Sequence, residues 1–451
     1  MIDFLNKKVA IAGFGIEGQS LYNYLKAFKA SVWILDQNTE LNVPDSAQAI
    51  LGGHYLDHLE QFDVIARSPG VHPKLLQKAK LITSLTQLFF DHCPCPIIGV
   101  TGTKGKGTTA TLISLMLEKS GQKVFLGGNI GKPPLDFIGQ LTKNDIVVLE
   151  LSSFQLINLD KSPQYAVVLM IVPEHLNYHQ SVAEYSNAKS RIVLYQKSDD
   201  YAILNQDSEI SRNFAKQTKA KVSFFSQKEK TNGSFIRDKN IYIIKDDPPL
   251  DKVSNRQDHE ELLCAVADVA LIGRHNLDNI MAASFMAYRA GASLDSIRAV
   301  IKTFKGLENR LEFVREINGI SFYNDSFSTT PETAIAAIDS FSNPKILILG
   351  GASKESDYRD LAKKIGISDI RAVILIGETA LEIEQNINKF SKKIPLIIKD
   401  LFKMRNIVKT CHKTALKGDV VLLSPGCASF GLFKNYKDRG EQFKNEVLWL
   451  S

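Results

Sequence analysis

The 451-residue sequence lacks any apolar stretch approaching the roughly 20 residues that a membrane-spanning helix requires, so no bilayer-crossing segment is expected. It also lacks a secretory leader pattern. From Met1 the chain passes through Asp3, Lys7 and Lys8 straight into a strand-like run, with no apolar core or small-residue cleavage site, and the cytoplasm is the expected location. Cysteine is scarce: Cys93, Cys95, Cys264, Cys411 and Cys427 are odd in number and widely spread, and Cys93 with Cys95 misses the spacing of a C-x-x-C redox or zinc pair. Reduced, mostly buried thiols are expected. There is no long polar low-complexity tract and no internal repeat, which excludes large-scale disorder and repeat architectures. The net charge is only +6, from 55 basic and 49 acidic residues, with the lysines spread among acids; nucleic acid is not expected as a main partner.

What is present is 44% hydrophobic and 23% charged, an ordinary globular composition. At about 150 residues per domain the length suggests three domains. Short β-branched runs alternate with longer amphipathic stretches, the pattern of buried parallel strands joined by crossover helices, so the fold class is α/β. Val9–Gly13, Val32–Asp36 and Val64–Ala66 form a first set of strands, closed by the proline- and cysteine-bearing linker Asp91–Pro96. Ile97–Thr101, Ile146–Leu149, Ala166–Val172 and Tyr201–Asn205 form a second. Residues 226–260, polar and turn-rich around Ile241–Ile244, are expected as a β excursion on its surface. A helix over Asn276–Ala290 and Gly306 end that domain. Ile346–Gly350, Ala372–Ile376 and Val420–Ser424 form a third set.

The segment Gly99–Thr109, GVTGTKGKGTT, leaves one predicted strand and enters the helical pattern Ala110–Ser120. Gly102, Gly105 and Gly107 let backbone N–H groups converge on an anion at a helix N-terminus; Lys106 is placed to reach the outer phosphates and Thr108 to offer a hydroxyl to Mg2+. The strict phosphate-loop pattern has Ser or Thr directly after the lysine, where this chain has Gly107. ATP or GTP binding is expected. Earlier, Gly13, Gly15 and Gly18 form GxGxxG, and Asp36 ends the next strand at the spacing of a ribose-binding acid. Alone, that pattern fits a dinucleotide or a nucleotide-sugar equally.

Further segments follow in order: LELSSFQL (Leu149–Leu156), PEHLNYH (Pro173–His179), YSNAKSRI (Tyr185–Ile192), GRHNLDN (Gly273–Asn279), NRLE (Asn309–Glu312), YNDS (Tyr323–Ser326) and SPGCASF (Ser424–Phe430). With the phosphate loop, this series resembles the Mur ligases over essentially the whole chain, and LSSFQL, GGNIG (Gly127–Gly131) and the CASF…FKNYKDRG ending are similar to the glutamate-adding members. The resemblance implies three domains: an N-terminal Rossmann-like UDP-sugar-binding domain (1–95), a central P-loop ATPase-like domain with a mostly parallel sheet (96–306) and a C-terminal Rossmann-like glutamate-binding domain (307–451). It implies an ATP-dependent ligase that joins glutamate, expected to be the D isomer, to UDP-N-acetylmuramoyl-L-alanine through an acyl phosphate in peptidoglycan precursor synthesis. The alternatives are L-glutamate or another amino acid. Small-molecule substrates, no nucleic-acid or membrane partner and a monomer are expected.

The resemblance also assigns residues. ATP falls to Gly102, Thr103, Lys104, Gly105, Lys106, Gly107, Thr108 and Thr109, with Asn276, Asn279, Arg310 and Asp325. Lys106, Glu150, His175 and Lys189 are the implied catalytic set. Thr108 and Glu150 are implied ligands of one Mg2+, and His175 and a carbamylated Lys189 of a second, since carbamylation turns an ammonium into an oxygen-bearing anion suited to a hard cation. Gly15, Ile16, Asp36, Gln37, Gly70, Asn129, Ser152 and Gln155 are implied at the UDP-substrate, which reassigns the glycine pattern from NAD to UDP. Thr329, Lys354, Ser429 and Tyr436 are implied at glutamate. Three positions depart from the family pattern: Phe327 stands where a lysine is common, Glu174 where an aspartate is usual before the histidine, and Asn177 where an acid is common. The first removes an expected positive charge near the glutamate pocket.

Overall fold

The computed structural model describes residues 2–175, 178–245, 260–353 and 356–450. Apolar runs, buried on both faces in the central strands and partly exposed at the edges, make three sheets. The first is β1 (Lys8–Ala12), β2 (Ser31–Asp36), β3 (Gln48–Leu51), β4 (Val64–Arg67) and β5 (Ile82–Ser84), all parallel in the order β3-β2-β1-β4-β5. The second comprises β6 (Ile97–Thr101), β7 (Val124–Gly128), β8 (Ile146–Glu150), β9 (Tyr165–Val168), β10 (Tyr201–Asn205), β11 (Lys221–Ser226), β12 (Ser234–Arg237), β13 (Asn240–Ile244) and β14 (Glu260–Ala265). Its order is β14-β13-β12-β11-β10-β9-β6-β8-β7. The third contains β15 (Glu312–Ile317), β16 (Ile320–Asn324), β17 (Lys345–Gly350), β18 (Ile370–Ile376), β19 (Leu396–Ile398) and β20 (Val420–Leu423), ordered β15-β16-β20-β17-β18-β19. The α/β class read from the sequence is what the chain forms.

The chain divides into two compact units, Met1–Val269 with Leu277–Lys302, and Ala270–Asn276 with Thr303–Ser451. The first unit holds the first two sheets and a shared apolar core, in which Leu21 and Phe89 belong to the same cluster as Leu149 and Ile192. In the second unit, apolar clusters cover both faces of the third sheet.

Two expectations are corrected. The 226–260 stretch is not a surface excursion in its described part: β12, β13 and β14 pair antiparallel with one another and, through β12 on β11, lengthen the central sheet itself. And β9 stops at Val168 instead of running to Val172. Past that point the backbone is taken by the phosphate loop, where Thr103 N–H donates to the Met170 carbonyl at 2.9 Å. Thr103 Oγ1 also donates to the Val172 carbonyl at 3.0 Å.

Candidate active site

In parallel sheets, ligands gather beyond the carboxyl ends of the strands where chain order reverses. In the first sheet that point lies between β1 and β4. A cavity of about 450 Å3 opens there, lined by Gly13 to Glu17 after β1, Asp36 and Gln37 after β2, Tyr55, and Ser68 to Val71 after β4. Gly15, Ile16, Asp36, Gln37 and Gly70, the residues that the family resemblance implies at a UDP-substrate, all line this cavity. The Asp36 carboxylate accepts the Phe14 N–H at 2.7 Å and the Asn38 N–H at 2.9 Å, which pins the glycine turn. Gly18 is required by close approach, since a Cβ there would lie 2.3 Å from the Gly13 carbonyl oxygen.

Sequence reasoning missed Tyr55 and the pair Glu17 and Arg67. Arg67 is fully buried; it donates to the carbonyl of Val71 at 2.9 Å and to those of Ser68 and Pro69 at 3.3 Å. Its Nε reaches Asn158 Oδ1 at 3.0 Å, and its remaining nitrogen bonds the Phe154 carbonyl. One guanidinium therefore braces the turn under the cavity against the central sheet's connections. Glu17 accepts from Gln155 Nε2 at 2.7 Å, and burial pushes its pKa up to about 7 against the pull of Gln155 and Arg67. The clue available in the sequence was an arginine inside an otherwise apolar strand. Ser152 and Gln155 form a capping box on the short helix Ser153–Leu156, so Gln155 is positioned by its own helix start.

In the central sheet the loop 102–105 links β6 to the helix Lys106–Lys119. Gly105 has φ +83°, and a Cβ there would lie 2.1 Å from Asn279 Oδ1, so only glycine fits. Asn279 in turn accepts from Thr109 Oγ1 at 3.2 Å. Lys106 Nζ curls back onto the carbonyls of Gly102 and Thr103, at 3.2 and 2.9 Å. Lys104 pairs with Glu174, and Thr108 is buried at the first turn of the helix.

Parallel pairing of β6 with β8 sets Val100 opposite Glu150 at the same end of the sheet. Glu150 is 4% exposed, and one of its oxygens accepts from Asn129 Nδ2 at 3.0 Å. From the helix Val182–Leu194, Lys189 reaches the same loop: it is 1% exposed and donates to the Gly102 carbonyl at 2.8 Å. Burial first, and then Lys106, hold its pKa well below the ordinary lysine value, with Glu174 and Glu150 pulling the other way. His175 sits in the left-handed region at φ 58° and packs on Phe154. Burial, and next the charges of Lys106, Lys189 and Lys104, hold it below the ordinary imidazole value against Glu174. The expected catalytic set therefore shares one neighbourhood.

Among the described residues no group of three or more His, Cys, Asp and Glu side chains is arranged to hold a metal ion. Glu150 and Thr108 supply hard oxygens, the donor type suited to a Mg2+ that completes its shell with water and phosphate oxygens. Lys189 as an ammonium has no lone pair to give, so a second ion fits only after that nitrogen is converted to an oxygen-bearing group.

In the second unit, Asp325 follows β16 and accepts from Ser424 Oγ at 2.7 Å and from the Leu311 N–H at 3.2 Å. Burial pushes its pKa up to about 7. The Arg310 guanidinium lies 4.0 Å from the centroid of the Phe327 ring, whose other neighbour is Tyr436 at 5.0 Å. The position that lacks the expected lysine thus has a cation resting on it. Fully buried Arg439, also missed from sequence, donates to Ser326 Oγ at 3.0 Å, to the Ser326 carbonyl at 2.9 Å and to the Cys427 carbonyl at 3.2 Å, joining the loop after β16 to the loop after β20. Ser429 is buried and Thr329 half-buried on those same loops. Asn276 opens its helix and donates to the Ile272 carbonyl. Lys354 and Asn177 lie outside the described residues.

Comparison with known proteins gives this arrangement its context. A family model described as the Mur ligase middle domain matches residues 100–287, and one described as the Mur ligase, glutamate ligase domain matches 309–427. A protein of Clostridium tetani named UDP-N-acetylmuramoylalanine--D-glutamate ligase is 38% identical, across 98% of this chain and 96% of its own. A protein of the same name from Acetivibrio thermocellus is 38% identical over the same shares. Among solved structures, Thermotoga maritima UDP-N-acetylmuramate-alanine ligase superposes with a TM-score of 0.60 at 15% identity, over 98% of this chain and 99% of that one. The MurF ligase of the same organism, solved with ADP, gives 0.59 at 18% identity, over 98% and 96%. At those identities the structural likeness concerns the fold alone.

Proposed function

Because the chain belongs to the Mur ligase family, we propose that it joins D-glutamate to UDP-N-acetylmuramoyl-L-alanine in the cytoplasm, at the expense of ATP, as a step of peptidoglycan precursor synthesis. The observation that carries this reading is the phosphate loop of β6, on which Lys106 and Lys189 meet at one carbonyl beside the buried Glu150. The substrates are small molecules and the enzyme acts as a monomer of three domains, divided near residues 95 and 306.

In this reading the cavity after β1, β2 and β4 takes the UDP moiety, with Gly15, Ile16, Asp36, Gln37 and Gly70 around it and Asn129, Ser152 and Gln155 on the sugar side. ATP lies along residues 102–109, with Asn276, Asn279, Arg310 and Asp325. The alanyl carboxylate attacks the γ-phosphorus, the bond to the β-phosphate oxygen breaks, and an acyl phosphate and ADP result. The glutamate amine then attacks the acyl carbon, loses its proton, and phosphate departs. Lys106 holds the outer phosphates and offsets charge as the transferring group separates. Thr329, Lys354, Ser429 and Tyr436 orient glutamate, whose two carboxylates need donors of that kind.

Magnesium held by Thr108 and Glu150 would supply further neutralisation of the phosphates. Lys189, buried against a carbonyl, is suited to add carbon dioxide, releasing a proton and giving a carbamate that with His175 would bind a second Mg2+.

The test is ADP release from UDP-N-acetylmuramoyl-L-alanine and ATP with D-glutamate, L-glutamate, L-lysine or meso-diaminopimelate. Release with D-glutamate alone is expected. Release with another amino acid, or with none of the four, overturns the assignment.

A further inference from the structure

Charge is not as evenly mixed along the chain as the total suggests. Residues 389–417 contain nine basic residues and one acid, Asp400, a formal +8 against +6 for the entire chain, so the rest is slightly acidic. Of those nine, only Lys399 forms an ion pair among the described residues, with Glu384. The other eight are exposed.

Topology gathers most of the surplus at one end of the third sheet. Strands β16 to β20 run parallel, so the segments entering β18, β19 and β20 share an edge. Lys392 and Lys393 precede β19, Lys413 and Lys417 precede β20, and Lys389 closes the helix Ala380–Phe390. Large apolar side chains stand among them on this edge: Ile367 is 66% exposed, Ile394 54% and Leu416 57%. Ile367 is adjacent to the lysines, since a Cβ on neighbouring Gly366 would meet the Lys392 backbone nitrogen at 2.4 Å. The acids of this edge do not neutralise it. Asp339 is engaged by Lys364 and Asp419 by Arg371, which leaves Asp369 and Glu316 exposed. Asp325, Ser429 and their loops leave the opposite, carboxyl end of the same strands, so this edge is not the substrate site.

We propose that the amino-terminal edge of the third sheet docks the enzyme on an anionic lipid surface, Ile367, Ile394 and Leu416 entering the headgroup region while the unpaired lysines meet lipid phosphates. The composition selects the lipid over a nucleic acid. Eight of the nine cations are lysine, the point charge that serves diffuse surface attraction, where base or phosphate recognition favours the planar, bidentate arginine. Exposed aliphatic side chains among them have a place in a headgroup layer and none on a phosphate backbone. This departs from the expectation of no membrane partner.

The test is sedimentation of the full-length enzyme with vesicles of phosphatidylcholine alone or mixed with phosphatidylglycerol. Binding only to the anionic vesicles, reversed by salt, is expected. Each basic residue near an anionic surface contributes about a factor of five, so replacing Lys392, Lys393, Lys413 and Lys417 together by Gln should lower vesicle affinity by about 100-fold or more. Replacing Ile367, Ile394 and Leu416 by Ser should weaken binding to the anionic vesicles at low salt, where the lysines still hold the enzyme on them. Both variants should keep the parent's melting temperature and ligase rate, and single lysine replacements serve if the combined variant does not fold. Equal binding to neutral vesicles, or no loss on removing the lysines, overturns the proposal. So does a heparin affinity that exceeds vesicle affinity and ignores the apolar replacements, which marks a general polyanion surface.

Discussion

Lys106 and Lys189 donate to the same acceptor, the Gly102 carbonyl, at 3.2 and 2.8 Å. Two ammonium groups on one oxygen repel each other, and that repulsion adds to the burial that already disfavours a charged Lys189. In the proposed mechanism a polyphosphate would relieve the conflict by offering Lys106 another partner. The first two predictions follow from this geometry.

Lys106→Ala removes the cation proposed to meet the outer phosphates. Glutamate-dependent ADP release should fall by about 10²-fold or more, the usual cost of losing a group that stabilises charge in the transition state. The melting temperature should be unchanged. A normal rate of ADP release in the variant would refute the nucleotide assignment.

Lys189→Ala should be inactive, and short carboxylic acids such as acetate or formate should restore part of the rate by supplying the missing oxygen ligand. The alanine also leaves a space beneath Gly102, so a stability loss of about 2–4 kcal/mol is expected by chemical denaturation. Full activity with no added acid would remove the carbamate from the mechanism.

Glu17 carries the pH prediction. Its pKa in the folded protein is about 7, raised by burial from an ordinary 4.5. Between those values the unfolded chain has released the proton that the native state retains, so stability declines as pH rises from 4.5 to 7 and the penalty persists above. Glu17→Gln keeps an acceptor for Gln155 and removes the titration. Its melting temperature should exceed the parent's at pH 8 and match it at pH 4. Because Glu17 is only half-buried, solvent screening limits the gain to about 1–2 kcal/mol. The carboxyl also lines the cavity assigned to UDP, where its charge opposes a diphosphate. KM for the UDP-sugar should therefore rise above pH 7 in the parent and stay flat in the variant.

Phe327→Leu should separate the ring's support of Arg310 from simple bulk. A guanidinium on an aromatic face contributes about 0.5–2 kcal/mol, so kcat/KM should drop by about 3- to 30-fold. Steady-state kinetics in ATP and glutamate would locate the loss, and an unchanged kcat/KM for both would show that Arg310 is held by other contacts.

Much of this was legible in the residues. The run Gly99–Thr109 reads as a strand, an anion-binding turn and a helix start because each part is local: β-branched residues, glycines that permit the turn, then helix formers. The weak places were the edges. β12, β13 and β14 are short and of mixed polarity, so nothing in their periodicity distinguishes a surface hairpin from an extension of the main sheet. Lys189 by itself reads as a surface lysine on an amphipathic helix.

The sequence by itself determined the α/β class, the phosphate loop and the glycine turn that Asp36 closes, since these depend on contacts over a few residues or on a strand and the one after it. Only the tertiary structure decided that Lys189 is buried against Gly102, that Glu150 ends beside the same loop, and that Arg67 and Arg439 each tie two distant turns together. Those facts depend on which strands become neighbours, β9 and β8 on either side of β6, and β20 beside β16. Strand order is set by the packing of whole layers, and a local pattern of apolar and polar residues does not encode it.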